Sequence, residues 1–269
     1  MKVLEAKYRT LFGLGLKRVS EYKVNFFGRF ARIPVELAIF YFLWKVIFAA
    51  RGATELGGMA FPTFIVYVMM TRFVFISMPN MSITWAVEDI IASGQLSYLL
   101  TKPVSFIRYM FFRYTPEFFL YGFTATALFI GVSAAMQWHV LANPIFWALF
   151  IISLGLSIAL NYTLFFSIAT LTFWFDGIWG VTRSVQVMRS FLSGELIPLT
   201  LFPPALATVA AVLPFKYLMF TTIFTYLEMY TVNEAILQIG IQLAWIAVFV
   251  VITNVALAAG LKKFNSQGG

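Results

Sequence analysis

The sequence predicts an all-α polytopic membrane protein: six transmembrane helices, an N-terminal amphipathic interfacial helix, and a re-entrant outer helical hairpin before the last span. Composition sets the class. Of the 269 residues, 61% belong to the hydrophobic set and 11% are charged. A water-soluble domain carries about 25% charge, so there is too little polar surface here to cover a globule in water. Hydropathy sets the helices. Long apolar runs at about 33–50, 59–80, 118–137, 144–173 and 235–261 reach or exceed the length needed for a core of about 30 Å, the first being marginal. Charge placement sets the orientation. The formal net charge is +8, and eight of the nineteen Lys and Arg lie in the first 32 residues, ahead of the first run. That is the pattern of a cytoplasmic membrane-surface segment under the positive-inside rule, and it argues for membrane lipids, not nucleic acid, as the partner of this charge.

Residues 1–30 form the first predicted element. Leu4, Tyr8, Leu11, Phe12, Val19, Tyr22 and Phe26 recur near helical spacing, with Lys2, Lys7, Arg9, Lys17, Arg18 and Lys23 mostly elsewhere on the wheel. Such a helix lies along the headgroups; the alternative is an ordinary basic flank of the first span. No cleavable signal peptide is visible ahead of the first apolar run. The transmembrane domain is expected over 31–263, with a short tail at 264–269.

Five spans would leave the basic N-terminus and Lys262-Lys263 on opposite sides, whereas the positive-inside rule favours both inside. The sixth crossing is assigned to 179–200, weakened by Arg183, Arg189 and Glu195 and tolerable if its polar face is buried or lines a cavity. The short loops at 51–58 and 137–143 then lie outside, and Lys102, Arg108, Arg113 and Arg183 inside. After the fifth crossing, Pro198, Pro203, Pro204 and Pro214 forbid one straight helix. The simplest geometry for 203–232 is a segment that dips into the outer leaflet and climbs out, covered by protein or a cavity. The competing reading makes 204–232 a seventh full span.

Between the second and third spans, "WAVEDIIASGQLSYLLTKPV" holds the only adjacent acids, Glu88 and Asp89, on a short helix over about 84–92. Gly94 allows a sharp turn, Leu96, Leu99 and Leu100 offer a docking face, and Pro103 ends the second piece. A partner pressing on 84–103 would move two membrane helices; the plainer alternative is a solvated cytoplasmic loop. Charges in or near the spans (Glu36, Lys45, Arg72, Glu117, Arg189 and Glu195) are costly unless paired, snorkelling or facing a cavity. Glu36 and Arg72 are placed to pair by snorkelling, and Arg189 is the candidate to face a cavity. Asn161 and Asn254 read as helix-bridging residues. Trp138, Trp147, Trp174 and Trp179 sit near span ends, as in an interfacial aromatic belt.

With these elements in order, the chain resembles the membrane subunit of ABC-2-type exporters, and specifically the single-domain, six-span ABC-2 family transporter proteins. Two motifs carry the resemblance. Gly94, Leu96, Leu100, Lys102 and Pro103 match a Gly-x-Leu-x-x-x-Leu stretch followed by Lys/Arg-Pro. Ser193, Gly194, Ile197, Pro198, Leu199, Phe202 and Pro203 match Ser-Gly-x-x-Ile-Pro-Leu-x-x-Phe-Pro, the more specific of the two. The resemblance implies a permease that pairs with a second permease, identical or homologous, and binds two cytosolic ABC ATPase subunits. It implies that the interfacial helix and the 84–103 loop contact the ATPase, and that the broken segment before the last span caps the path outside. The inferred location is a prokaryotic plasma membrane with both termini cytoplasmic.

The sequence has no G-x-x-x-x-G-K-[ST] and no cytosolic stretch long enough for a nucleotide domain. No directly bound cofactor is expected, and ATP-Mg would sit on the partner ATPase. An intramembrane enzyme would need convergent catalytic residues, and the one His139 lies on the opposite side from Glu88-Asp89 in this topology. A stand-alone channel or secondary transporter would predict symmetry between halves, and no convincing inverted repeat is visible. With no cysteine, thiol catalysis and disulfides are excluded.

Overall fold

Apolar helices dominate because a chain in hydrocarbon must satisfy every backbone N–H and C=O within itself. The computed structural model describes residues 10–17, 28, 31, 33–79, 82–135 and 143–267. His139, Trp138 and most of the predicted interfacial helix lie outside these residues. The helices are α1 (Ile33–Arg51), α2 (Phe61–Ile76), α3 (Ser82–Ala92), α4 (Gln95–Leu100), α5 (Phe106–Ala135), α6 (Pro144–Ala169), α7 (Trp179–Leu192), α8 (Pro204–Val212), α9 (Phe220–Tyr226) and α10 (Val232–Gln267). Four of them are long and apolar enough to cross a membrane: α1, α5, α6 with its 3₁₀ extension to Phe173, and α10. α2 is apolar but shorter.

α1 and α2 are joined by a two-stranded antiparallel hairpin, β1 (Glu55–Leu56) and β2 (Met59–Ala60). The pair is zipped by aromatic rings: Trp44 on Phe64 at 4.4 Å and Phe48 on Phe61 at 5.1 Å. α2 then packs antiparallel on α5, with Phe73 against Phe129 at 5.1 Å. Gly122 permits the close approach, since a Cβ there would stand 3.1 Å from the Ser77 hydroxyl.

α6 lies at the centre, buried over most of its second half. α10 runs parallel to it, from Gln242 beside Ser153 to Phe264 beside Phe173. At that end Gly260 lies so close to the Phe173 ring that a Cβ would collide with it. α10 begins with a capping box: Glu234 Oε2 accepts from the Thr231 N–H at 2.7 Å, and Thr231 Oγ1 accepts from the Glu234 N–H at 3.3 Å.

Two boundaries differ from the sequence expectation, and a third feature decides between its alternatives. The third long helix starts at Phe106, not near 118, and runs 30 residues through Pro116. Arg108, Arg113 and Glu117 lower the hydropathy of this stretch without breaking its helical geometry. α7 covers 14 residues and stops at Leu192, not at 200. Its rise is about 21 Å, short of a core of about 30 Å. The stretch 204–232 is not one helix: α8, a 3₁₀ turn at Pro214–Leu218 and α9 are separated by the non-helical Leu213 and Met219. That excludes the seventh straight span, and Pro214 supplies the physical reason by denying the helix an N–H.

Candidate functional site

Two regions gather the sequence-predicted residues, one at each end of the bundle. The first is built on α3 and α4. α3 is amphipathic, with Ile83, Thr84, Val87, Ile90 and Ile91 buried. It is fastened to α6 where the Thr84 hydroxyl donates to the Phe165 carbonyl at 3.3 Å. Glu88 accepts from the Ile178 N–H at 3.4 Å, next to the start of α7. Asp89 points to the exposed side. Gly94 turns the chain in the left-handed region, at φ 73°, where a side chain is disfavoured. Leu96 is then fully buried, while Tyr98 and Leu100 stay exposed. Lys102 lies over the Tyr98 ring at 4.2 Å, and both Lys102 and Pro103 are exposed. One piece of the predicted interfacial helix, residues 10–17, is helical and docks on α5. There Arg113 donates to the Leu14 carbonyl at 3.4 Å, and Gly15 packs on Pro116. Pro116 has no N–H to give Phe112, so the helix is contacted at its weakest turn.

The second region surrounds the turn after α7. Ser193 closes α7, and its carbonyl accepts from the Phe220 N–H at 3.0 Å. Gly194 follows at φ 80°, and a Cβ there would collide with the Tyr67 hydroxyl, which donates to the Gly194 carbonyl at 2.8 Å. Ile197 is half-buried, and Pro198 opens a 3₁₀ turn at Leu199–Leu201. Phe202 faces Phe191 at 6.1 Å, and Pro203 caps α8.

The charges converge on the same turn. Arg189 is 0% exposed, and its Nη2 meets Glu195 Oε2 at 3.1 Å. Its guanidinium stands 5.1 Å from the Phe75 ring, an additional attraction for a desolvated cation. Arg72 donates from Nη2 to the Glu195 backbone carbonyl at 2.6 Å and from Nε to Thr71 Oγ1 at 3.1 Å. It lies over Phe40, one turn along α1 from the half-buried Glu36. One expectation is corrected: Arg189, read as a cavity-facing charge, is enclosed and ion-paired with Glu195, as a buried charge must be. Arg72 reaches the α7 turn, and its hydrogen bond to the Glu195 carbonyl ties α2 to the outer motif.

A third set has no signature in the sequence. Ser153 and Ser157 on α6, Thr222 on α9 and Gln242 on α10 form a buried polar knot. Thr222 Oγ1 lies 2.8 Å from Ser153 Oγ and 2.7 Å from Ser157 Oγ. Gln242 Nε2 donates to the Tyr217 carbonyl at 2.8 Å and to Ser157 Oγ at 3.1 Å. The knot holds Tyr217 about 15 Å along α10 from its start, by helix rise. From there α9 returns to the other level, where Tyr226 packs on Phe150 at 5.2 Å near the beginning of α6. At the opposite limb, Thr200 sits against Gly57 of the β-hairpin. The limbs of 198–226 therefore stand beside the hairpin and the start of α6, and its tip lies deep between α6 and α10. Asn161, one turn below Ser157, donates to the Pro79 carbonyl, so it ties α6 to the connection between α2 and α3 and not to a second helix. Asn254 instead bonds its own helix, donating to the Val250 carbonyl at 2.8 Å.

Among known families, the model described as ABC-2 family transporter protein matches residues 35–268. No curated protein matches the chain.

Proposed function

The chain belongs to the ABC-2 family of transporter proteins, and on that premise we propose that it is the permease subunit of an ATP-driven exporter. The match over nearly the whole membrane domain is the observation that carries this reading. The chain itself hydrolyses nothing. Two cytosolic ABC ATPases bind ATP-Mg and supply the energy, and a second permease, identical or homologous, completes the path. The substrate is amphipathic or hydrophobic: a lipid, a peptide or a drug. The membrane is a prokaryotic plasma membrane, crossed six times with both termini inside, the fifth crossing being α7 continued by the non-helical chain that brings Thr200 to the β-hairpin.

The mechanism is alternating access. ATP-driven closure of the ATPases presses on α3–α4 and the N-terminal helix. Glu88 and Thr84 pass that displacement to the starts and ends of α7 and α6, which they touch. α7 carries it to the Gly194 turn, where Tyr67, Arg72 and Phe220 meet. The segment 198–226 then acts as a re-entrant outer cap, with its tip in the outer half of the membrane. Support for this placement comes from its limbs beside the β-hairpin and its tip between α6 and α10.

The test is co-purification from detergent with the candidate ATPase. Wild type is expected to capture it stably, and Glu88→Ala/Asp89→Ala and a deletion of residues 2–20 to weaken capture several-fold. Loss of every capture, with the permease still folded, would favour a transporter that works alone.

A further inference from the structure

α5 and α6 touch but do not close on each other. Between them lies a side-opening groove of about 640 Å³. Its lining runs from Phe119 to Ile130 on α5 and from Trp147 to Ile158 on α6. Each run rises about 16 Å, close to the half-thickness of a hydrocarbon core of about 30 Å. Trp147 marks one end, near the start of α6, the level at which amphipathic rings anchor in the headgroup zone. The lining holds no charged residue, and its one hydroxyl is that of Thr126. Phe123 and Ile151 on its two rims are 76% and 61% exposed.

The room exists because of small residues. A Cβ at Gly155 would meet nothing within 4 Å, so this glycine leaves space that no backbone contact requires. Water does not fill such a space, because a cavity without two to four polar partners stays dry. An empty groove would forfeit the dispersion contacts of its lining. A groove that opens to the side, is lined by apolar groups and runs the length of one leaflet fits an apolar chain about as thin as a methylene string.

We propose that this α5–α6 groove is a binding site for a single acyl chain of a membrane phospholipid, drawn from the leaflet at the Trp147 end. The site depends only on the chain being embedded in a bilayer, not on the identity of the transported substrate.

The test uses full-length protein in phosphatidylethanolamine/phosphatidylglycerol vesicles doped with phosphatidylcholine carrying a mid-chain photoreactive diazirine. Labelled peptides are mapped by mass spectrometry. Labelling of 119–130 and 147–158 is expected to exceed, several-fold, that of the equally exposed α10 face at Leu237, Val251 and Val255. Gly155→Leu, which fills the groove, should lower groove labelling to the α10 level, whereas Val251→Leu should leave it unchanged. If Gly155→Leu fails to fold, Thr126→Leu serves the same purpose. Groove labelling no higher than that of α10, or labelling untouched by a folded filling variant, overturns the site. So does efficient disulfide dimerisation of Phe123→Cys, in an otherwise cysteine-free chain, accompanied by loss of groove labelling; a second copy would then be the occupant.

Discussion

At Gly194, a positive φ and a hydroxyl one atom too close for any side chain meet in the same residue. Gly194→Ala is expected to lower stability by at least about 2 kcal/mol, combining backbone strain with the collision against Tyr67. A lowered melting temperature in detergent would register it, and an unchanged one would mean the turn relaxes freely. The neighbouring ion pair calls for a cycle, not a single variant. Arg189→Met or Glu195→Gln alone leaves one buried member unpaired, at a cost of about 3–5 kcal/mol. The double variant should cost clearly less than the two together, because no uncompensated charge remains. Additive losses would show that the two side chains do not interact. The partners of Arg189 were not legible in the sequence. They lie six residues apart across a left-handed turn, outside the three- and four-residue spacings by which helical pairs are recognised. The signal was the Ser193-Gly194 pair itself, which marks where the helix must reverse.

At the scale of elements, apolar runs located the long helices because hydropathy over about twenty residues is a strong signal. They misplaced the start of α5, where Arg108, Arg113 and Glu117 interrupt the hydropathy but not the helix. The prolines of 198–214 correctly forbade a straight helix, since the missing N–H acts locally. The polar knot was invisible for the opposite reason: single Ser and Gln residues in apolar spans carry no periodic signature, and only the tertiary arrangement unites them. Gln242→Leu removes a donation to the Tyr217 carbonyl in the 3₁₀ turn before α9 and one to Ser157 of α6, the hydroxyl that meets Thr222 of α9. It should speed amide hydrogen exchange over 214–226 at least several-fold, with the middle of α5 unchanged. A uniform acceleration along the chain would instead mean global destabilisation and no special hold on the limb.

For the whole molecule, connectivity and charge place the β-hairpin and the α3–α4 region at opposite ends. Because no cysteine is present, single reporters are clean. Glu55→Cys in the hairpin should react with a membrane-impermeant thiol reagent added to intact cells. Asp176→Cys, exposed beyond α6, should react only after the membrane is opened. The inverse pattern would reverse the orientation, and with it the side on which an ATPase could bind. Together with the N-terminal contact at Pro116, this orientation gathers α4, the end of α6, the start of α7 and the docked helix on one face.

Ser153, Ser157 and Asn161 stand in a column on α6, each one turn from the next and each buried. Thr222 already bonds the first two at once. The consequence is a track with evenly spaced notches. A shift of α9 along α6 by one turn, about 5.4 Å, would carry its hydroxyl from one notch toward the next without passing through a bare stretch of hydrocarbon. An apolar column would hold the limb by shape alone; this one offers a polar partner at each step.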